Sequence, residues 1–173
     1  MTTTTIPQHN KNKYAIVLAL TKSSEKKIVQ DHSFRKLINL WKCYAEQHNI
    51  DFILDTSFNK YNFDGFCTRY RNCAGYAKWH ALKKNLLENK YEYIMAVDPD
   101  MYVALNCFDA NIFKMLIDEK LPEHEQPHIV LRDTAFGESN NAGTLIVRSS
   151  RVGLKFADTV YMFLFFLFEC TQI

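Results

Sequence analysis

The seven apolar residues from Tyr14 to Leu20 (YAIVLAL) constrain this chain most. A strand with one wet face alternates apolar and polar side chains. A run without alternation reads as a strand buried on both faces. Such a strand needs cover on two sides, and the downstream pattern supplies it. Ser23 or Ser24 can cap a helix running from about Glu25 to His48. Phe34, Leu37, Trp41, Ala45 and His48 recur at helical spacing and make one stripe. Asp51 to Ser57 reads as a second strand, so the opening order is β-α-β, which favours a parallel sheet.

The pattern continues with a second helix over roughly Thr68 to Asn89, with Trp79, Leu82 and Leu86 on its buried side. Tyr91 to Val97 reads as a third strand. A third helix follows Asp109, with Ile112, Phe113, Leu116 and Ile117 as its apolar face. Pro122 to Pro127 reads as an acidic surface loop. Pro127 to Asp133 and Gly143 to Arg148 read as two more strands, and a last helix begins near Arg151. The expected architecture is an α/β fold: a mainly parallel sheet flanked by helices.

At 173 residues the chain makes one domain, with residues 1–13 as a polar tail and 14–173 as the folded unit. A hydrophobic content of 47% with 23% charged residues argues against disorder. The net charge of +2 carries no nucleic-acid footprint. The five cysteines contain no Cys-x-x-Cys and no zinc spacing, and an odd count fits free thiols at least as well as a disulfide framework. The histidines show no metal-ligand spacing. The Thr-rich start lacks the apolar segment of a signal peptide. The run Tyr161 to Phe168 is far shorter than the roughly 20 residues of a membrane span.

The third strand ends abruptly in Asp98-Pro99-Asp100. In an extended chain, side chains two apart share a side, so both carboxylates would converge just beyond the sheet. Oxygen donors of that kind suit Mg2+ or Mn2+. Pro99 has no amide hydrogen, so strand pairing should stop there. That edge is also where open α/β sheets bind ligands. Asp and Pro equally well make a plain turn, and residue type leaves both readings open.

Three motifs in order carry a resemblance: Arg69, Arg71, Tyr76, Lys78 and Trp79 on a helix; Asp98-Pro99-Asp100 after a strand; and Asn140-Asn141-Ala142-Gly143 ahead of another. About 80 central residues resemble nucleotide-sugar glycosyltransferases of the Rossmann-like GT-A fold, in the galactosyl- and mannosyltransferase group. They look closer still to a nematode-abundant glycosyltransferase-like family of unknown function. The resemblance implies a donor of the UDP- or GDP-sugar kind, a glycan or protein hydroxyl acceptor, and Mn2+ or Mg2+ as cofactor. Asp100 would ligate the metal, and Asp98 would contact the ribose or bind the metal through water. Arg71 and Lys78 would contact phosphate or hold the nucleotide loop, with Thr21 and Tyr76 as further nucleotide contacts. Asn140, Asn141 and Gly143 would meet the sugar. Asp133 or Glu138 would orient or deprotonate the acceptor.

Related enzymes usually continue past this point and supply a late His to the metal. The resemblance therefore implies a fold incomplete at its C-terminus, and an inactive, truncated glycosyltransferase-like protein is the alternative. Family members mostly retain configuration and usually reside in the secretory pathway or Golgi, although this sequence shows no anchor. A phosphoacceptor receiver or aspartyl phosphatase would need its acids after the first strand. Here Leu20-Thr21-Lys22 stands in that place.

Overall fold

The computed structural model describes residues 12–21, 30–58, 73–104, 108–118, 121–132 and 141–170. Five strands form one sheet: β1 (Asn12–Ala19), β2 (Asp51–Asp55), β3 (Tyr91–Val97), β4 (Ile129–Arg132) and β5 (Asn141–Arg148), in the order β2-β1-β3-β5-β4. β1 pairs in parallel with both β2 and β3. β5 runs against β3 and β4, so four strands share one direction. Among the described residues three α-helices cover the sheet: α1 (His32–Gln47), α2 (Cys73–Glu88) and α3 (Arg151–Cys170). No helix among the described residues is long and apolar enough to cross a membrane.

The unbroken apolar run of β1 has a direct structural counterpart. Tyr14, Ile16, Leu18 and Leu20 pack on the α1 side, with Trp41 and Tyr44. Ala15, Val17 and Ala19 pack on the other side, with Trp79, Leu82 and Leu86 of α2. β3 divides the same way: Tyr93, Met95 and Val97 face α1, whereas Ile94 and Ala96 face α2. α3 joins α2 on that second face through Ala157, Leu154 and Phe156.

Some boundaries differ from the sequence expectation. β1 begins at Asn12, inside the expected tail, because Asn12 pairs with Tyr91. Helix α1 begins at His32, and the expected start near Glu25 lies outside the described residues. Asp31 has an extended backbone and its carboxylate accepts the Ser33 amide, which is an N-cap. The expected cap at Ser23 or Ser24 lies outside the described residues. α1 ends on Asn49 at φ 54°, with Ile50 N–H bonded to the Ala45 carbonyl and Asn49 N–H to that of Glu46. Those two bonds close the helix, and Asn tolerates the left-handed geometry they need. The expected helix after Asp109 is a π-helical turn, Lys114–Asp118, entered through Asn111, whose side chain accepts the Phe113 and Lys114 amides. Phe113 and Ile117 are still the residues it buries.

α1 also acts as a clamp. Side chains of α1 and of its C-cap, His48, reach the segment that follows β3. The Trp41 indole N–H donates to the Met101 carbonyl at 2.9 Å. The Tyr44 hydroxyl donates to the Ala110 carbonyl at 2.8 Å and accepts from the Ile112 amide. His48 Nε2 lies 2.8 Å from the Phe108 carbonyl, which requires the Nε2–H tautomer.

Candidate functional site at the C-terminal sheet edge

The parallel register aligns the C-terminal ends of β1, β2 and β3, with Ala19 opposite Asp55 and Leu18 opposite Val97. Because β5 is antiparallel to β3, its first residues lie at the same edge, and Val97 faces Thr144. Thr21, Asp55, Asp98 and Gly143 thus sit along one rim.

β3 pairs one residue beyond its last strand position: the Asp98 amide donates to the Gly143 carbonyl at 2.8 Å. Pro99 has no N–H and pairing stops there, as expected. The Met101 amide then donates to the Asp98 carbonyl at 3.1 Å, closing a turn over Asp98-Pro99-Asp100-Met101. The segment is therefore not extended, and strand alternation does not set the relation of the two carboxylates. Asp98 Oδ1 instead lies 2.7 Å from Lys78 Nζ of α2. Lys78 is 5% exposed, whereas Asp100 is solvent-exposed. A buried ammonium requires a partner, and the turn supplies one.

Of the other sequence-predicted residues that are described, Thr21 and Gly143 share this rim and Tyr76 does not. Thr21 is buried where β1 ends. Gly143 contributes through its backbone carbonyl. The Tyr76 ring is buried between α2 and α3, edge-on to Tyr161 with centroids 6.4 Å apart. Burial, with Tyr161 adding to it, pushes the Tyr76 hydroxyl up to about 12. Arg71, Asp133, Glu138 and Asn140 lie outside the described residues. Asn141 is placed by its backbone only, as the first residue of β5, paired with Arg132. No group of three or more His, Cys, Asp or Glu side chains that could hold a metal occurs among the described residues.

A second charged group on this rim escaped sequence reasoning. Asp55, at the end of β2, is 5% exposed. Its Oδ1 accepts the Ser57 amide at 2.8 Å and the Ser57 hydroxyl at 2.5 Å, and its Oδ2 accepts from Lys84 Nζ at 3.0 Å. Burial raises the Asp55 carboxyl, but the Ser57 and Lys84 bonds outweigh it and leave it below its ordinary value. Nearby, burial holds His80 below its ordinary value, with Lys84 and Lys83 adding to this and Asp55 opposing it. The signal in the sequence was Asp-x-Ser at a strand end, which is the signature of a side chain capping its own backbone two residues on.

The chain matches no protein-family model and no curated protein. Its fold is similar to a crystal structure of a glycosyltransferase involved in the glycosylation of the major capsid of PBCV-1. The TM-score is 0.58 at 14% identity, over 87% of this chain and 66% of that one. The chain therefore spans just under two thirds of that neighbour's length, and the likeness places it in a glycosyltransferase-like α/β fold.

Proposed function

We propose that this chain is a metal-dependent glycosyltransferase, moving a sugar from a UDP- or GDP-sugar to a hydroxyl acceptor. The observation that carries the reading is the Asp98–Met101 turn. It presents an exposed acid and a lysine-held acid at the ligand-binding edge of this fold.

The residues fit a divalent ion that arrives with a diphosphate. Mg2+ is commonly held by one or two carboxylates plus substrate phosphates, not by an all-protein cage. Asp98 and Asp100 are such a pair, and their oxygens suit Mg2+ or Mn2+. The ion would offset phosphate charge as the leaving group departs.

The chain's own residues have distinct parts in this reading. Asp100 offers its carboxylate to the metal. Lys78 is buried and fixes Asp98, so it is a positioning residue more than a phosphate contact. Asp98, at the exposed end of that pair, meets the ribose or a metal-bound water. The Gly143 carbonyl pins the start of the turn and the Trp41 indole pins its end. In transfer, the bond from the sugar's anomeric carbon to the diphosphate oxygen breaks, a bond to the acceptor oxygen forms, and the hydroxyl proton passes to a base. Asp133 and Glu138 are the candidates for that base.

Calorimetric titration of UDP, and separately GDP, with and without Mn2+ tests the reading. The expected result is nucleotide binding that requires the metal. A folded protein that binds neither nucleotide in Mn2+ would remove the donor site.

A further inference from the structure

Beside the Asp98–Met101 turn lies a cavity of about 510 Å³ on the α1 side of the sheet. Its size falls within the roughly 300–1,000 Å³ of small-molecule sites. Among the described residues, none that lines it is charged. The polar hydrogens of two wall residues are already committed: the Trp41 indole to Met101 and the Tyr44 hydroxyl to Ala110. A sugar or nucleotide would lose its hydration here with few groups to replace it, at a net cost.

The wall has two further properties. Three of the chain's five methionines, Met95, Met101 and Met115, line it. Methionine is unbranched and polarizable, and it adapts to a flexible apolar guest. The mouth also carries apolar surface that a filled core would not expose. Tyr102 is 67% exposed, Met115 45% and Leu131 38%. Apolar surface gathered around an opening marks a binding site more than scattered exposure does.

We propose that this cavity binds a straight hydrocarbon chain, the apolar part of an amphipathic ligand. Met101 belongs both to the cavity wall and to the turn that carries Asp98 and Asp100. A chain seated in the cavity leaves a polar end beside those acids. That ligand is then the acceptor, a lipid-linked hydroxyl compound, an identification that rests on the transferase reading.

The test uses the full chain and 1-alkanols from hexanol to decanol, displacing the neutral fluorophore N-phenyl-1-naphthylamine. Affinity should rise about fourfold per added methylene until the cavity is full. Ala104→Trp, which fills the cavity from an exposed position, should weaken decanol binding at least tenfold. Leu131→Lys, which places a charge at the mouth, should do the same, with circular dichroism confirming that both variants fold. Affinity independent of chain length, or parental decanol binding in both folded variants, overturns the site. UDP titration of the same preparations separates the two readings. Metal-dependent UDP binding without alkanol binding overturns the hydrocarbon site and leaves the transferase. Alkanol binding without UDP binding overturns the acceptor assignment.

Discussion

Lys78 Nζ and Asp98 Oδ1 lie 2.7 Å apart, and the two side chains differ sharply in exposure: 6% for the lysine and 33% for the aspartate. The pair ties the buried first half of α2 to a turn at the sheet rim. An isolated ammonium this deep would be costly. The acid that compensates it is one of the two that the sequence pattern offers to a ligand.

This geometry separates the two acids of the turn. Asp98→Asn removes the anion beside a buried cation and should destabilise the protein by about 1–3 kcal/mol. That is less than the loss for a fully buried pair, because water reaches Asp98. Asp100→Asn should change stability by no more than about 0.5 kcal/mol, as expected at an exposed site. It should nonetheless abolish Mn2+-dependent UDP binding. Urea midpoints read the first contrast and calorimetry the second. Unchanged Mn2+-dependent binding in Asp100→Asn would sink the metal assignment.

Much of the fold was legible because apolar runs report strands whatever their direction. Tyr91 to Val97 matched its strand to the residue, and β1, β2 and β4 differed only at their ends. The reversal of β5 was harder to see, since side-chain alternation is the same for both directions. The spacing did hold a clue. Only positions 133–140 separate β4 from β5, fewer than the dozen or so a parallel crossover needs. The rim was only partly legible. Asp-Pro-Asp marked the edge, but its closure into a turn depends on the Met101 amide and on the β5 neighbour. Asp55 went unnoticed because its partner Lys84 is 29 positions away. The stripe through Trp41 and His48 read as packing, whereas its polar atoms hold the chain after β3.

Stability should fall as the solution is acidified, in two windows. His80 has an ordinary value of 6.5, lowered in the fold chiefly by burial. Between 6.5 and its folded value the unfolded chain holds the extra proton, so stability is full above 6.5 and is lost as pH falls through that window. Asp55 is lowered from 3.8, and its contribution is present above 3.8 and lost on further acidification. Urea midpoints at pH 7.5 and 5.5 should drop in the parent and drop less in His80→Gln. Equal drops would remove His80 as the cause.

Gly153 presents a contest between helix propensity and space. It lies in the first turn of α3, where its amide donates to the Ser150 hydroxyl at 3.1 Å. A Cβ there would run into the Arg148 carbonyl oxygen and would meet Val147 Cγ1 at 2.8 Å. Alanine is the better helix former by about 1 kcal/mol. Overpacking against backbone costs about 1–3 kcal/mol, and a carbonyl in a paired strand cannot rotate away. Gly153→Ala should therefore lower the thermal midpoint. A midpoint equal to or above the parent's would mean that α3 shifts off β5 at little cost.

The α1 clamp should act on the site through one bond more than another. Trp41 holds the Met101 carbonyl, at the end of the turn bearing Asp98 and Asp100. Tyr44 holds Ala110 and Ile112, farther along the chain. Trp41→Phe deletes one hydrogen bond and Tyr44→Phe two, and each should destabilise by about 1–3 kcal/mol, including packing lost with the smaller indole replacement. Only Trp41→Phe frees the turn itself. It should weaken Mn2+-dependent UDP binding several-fold, while Tyr44→Phe keeps the parental affinity at the same loss of stability. Equal loss of UDP affinity in both would show that binding follows overall stability and that the indole has no local part in placing the acids.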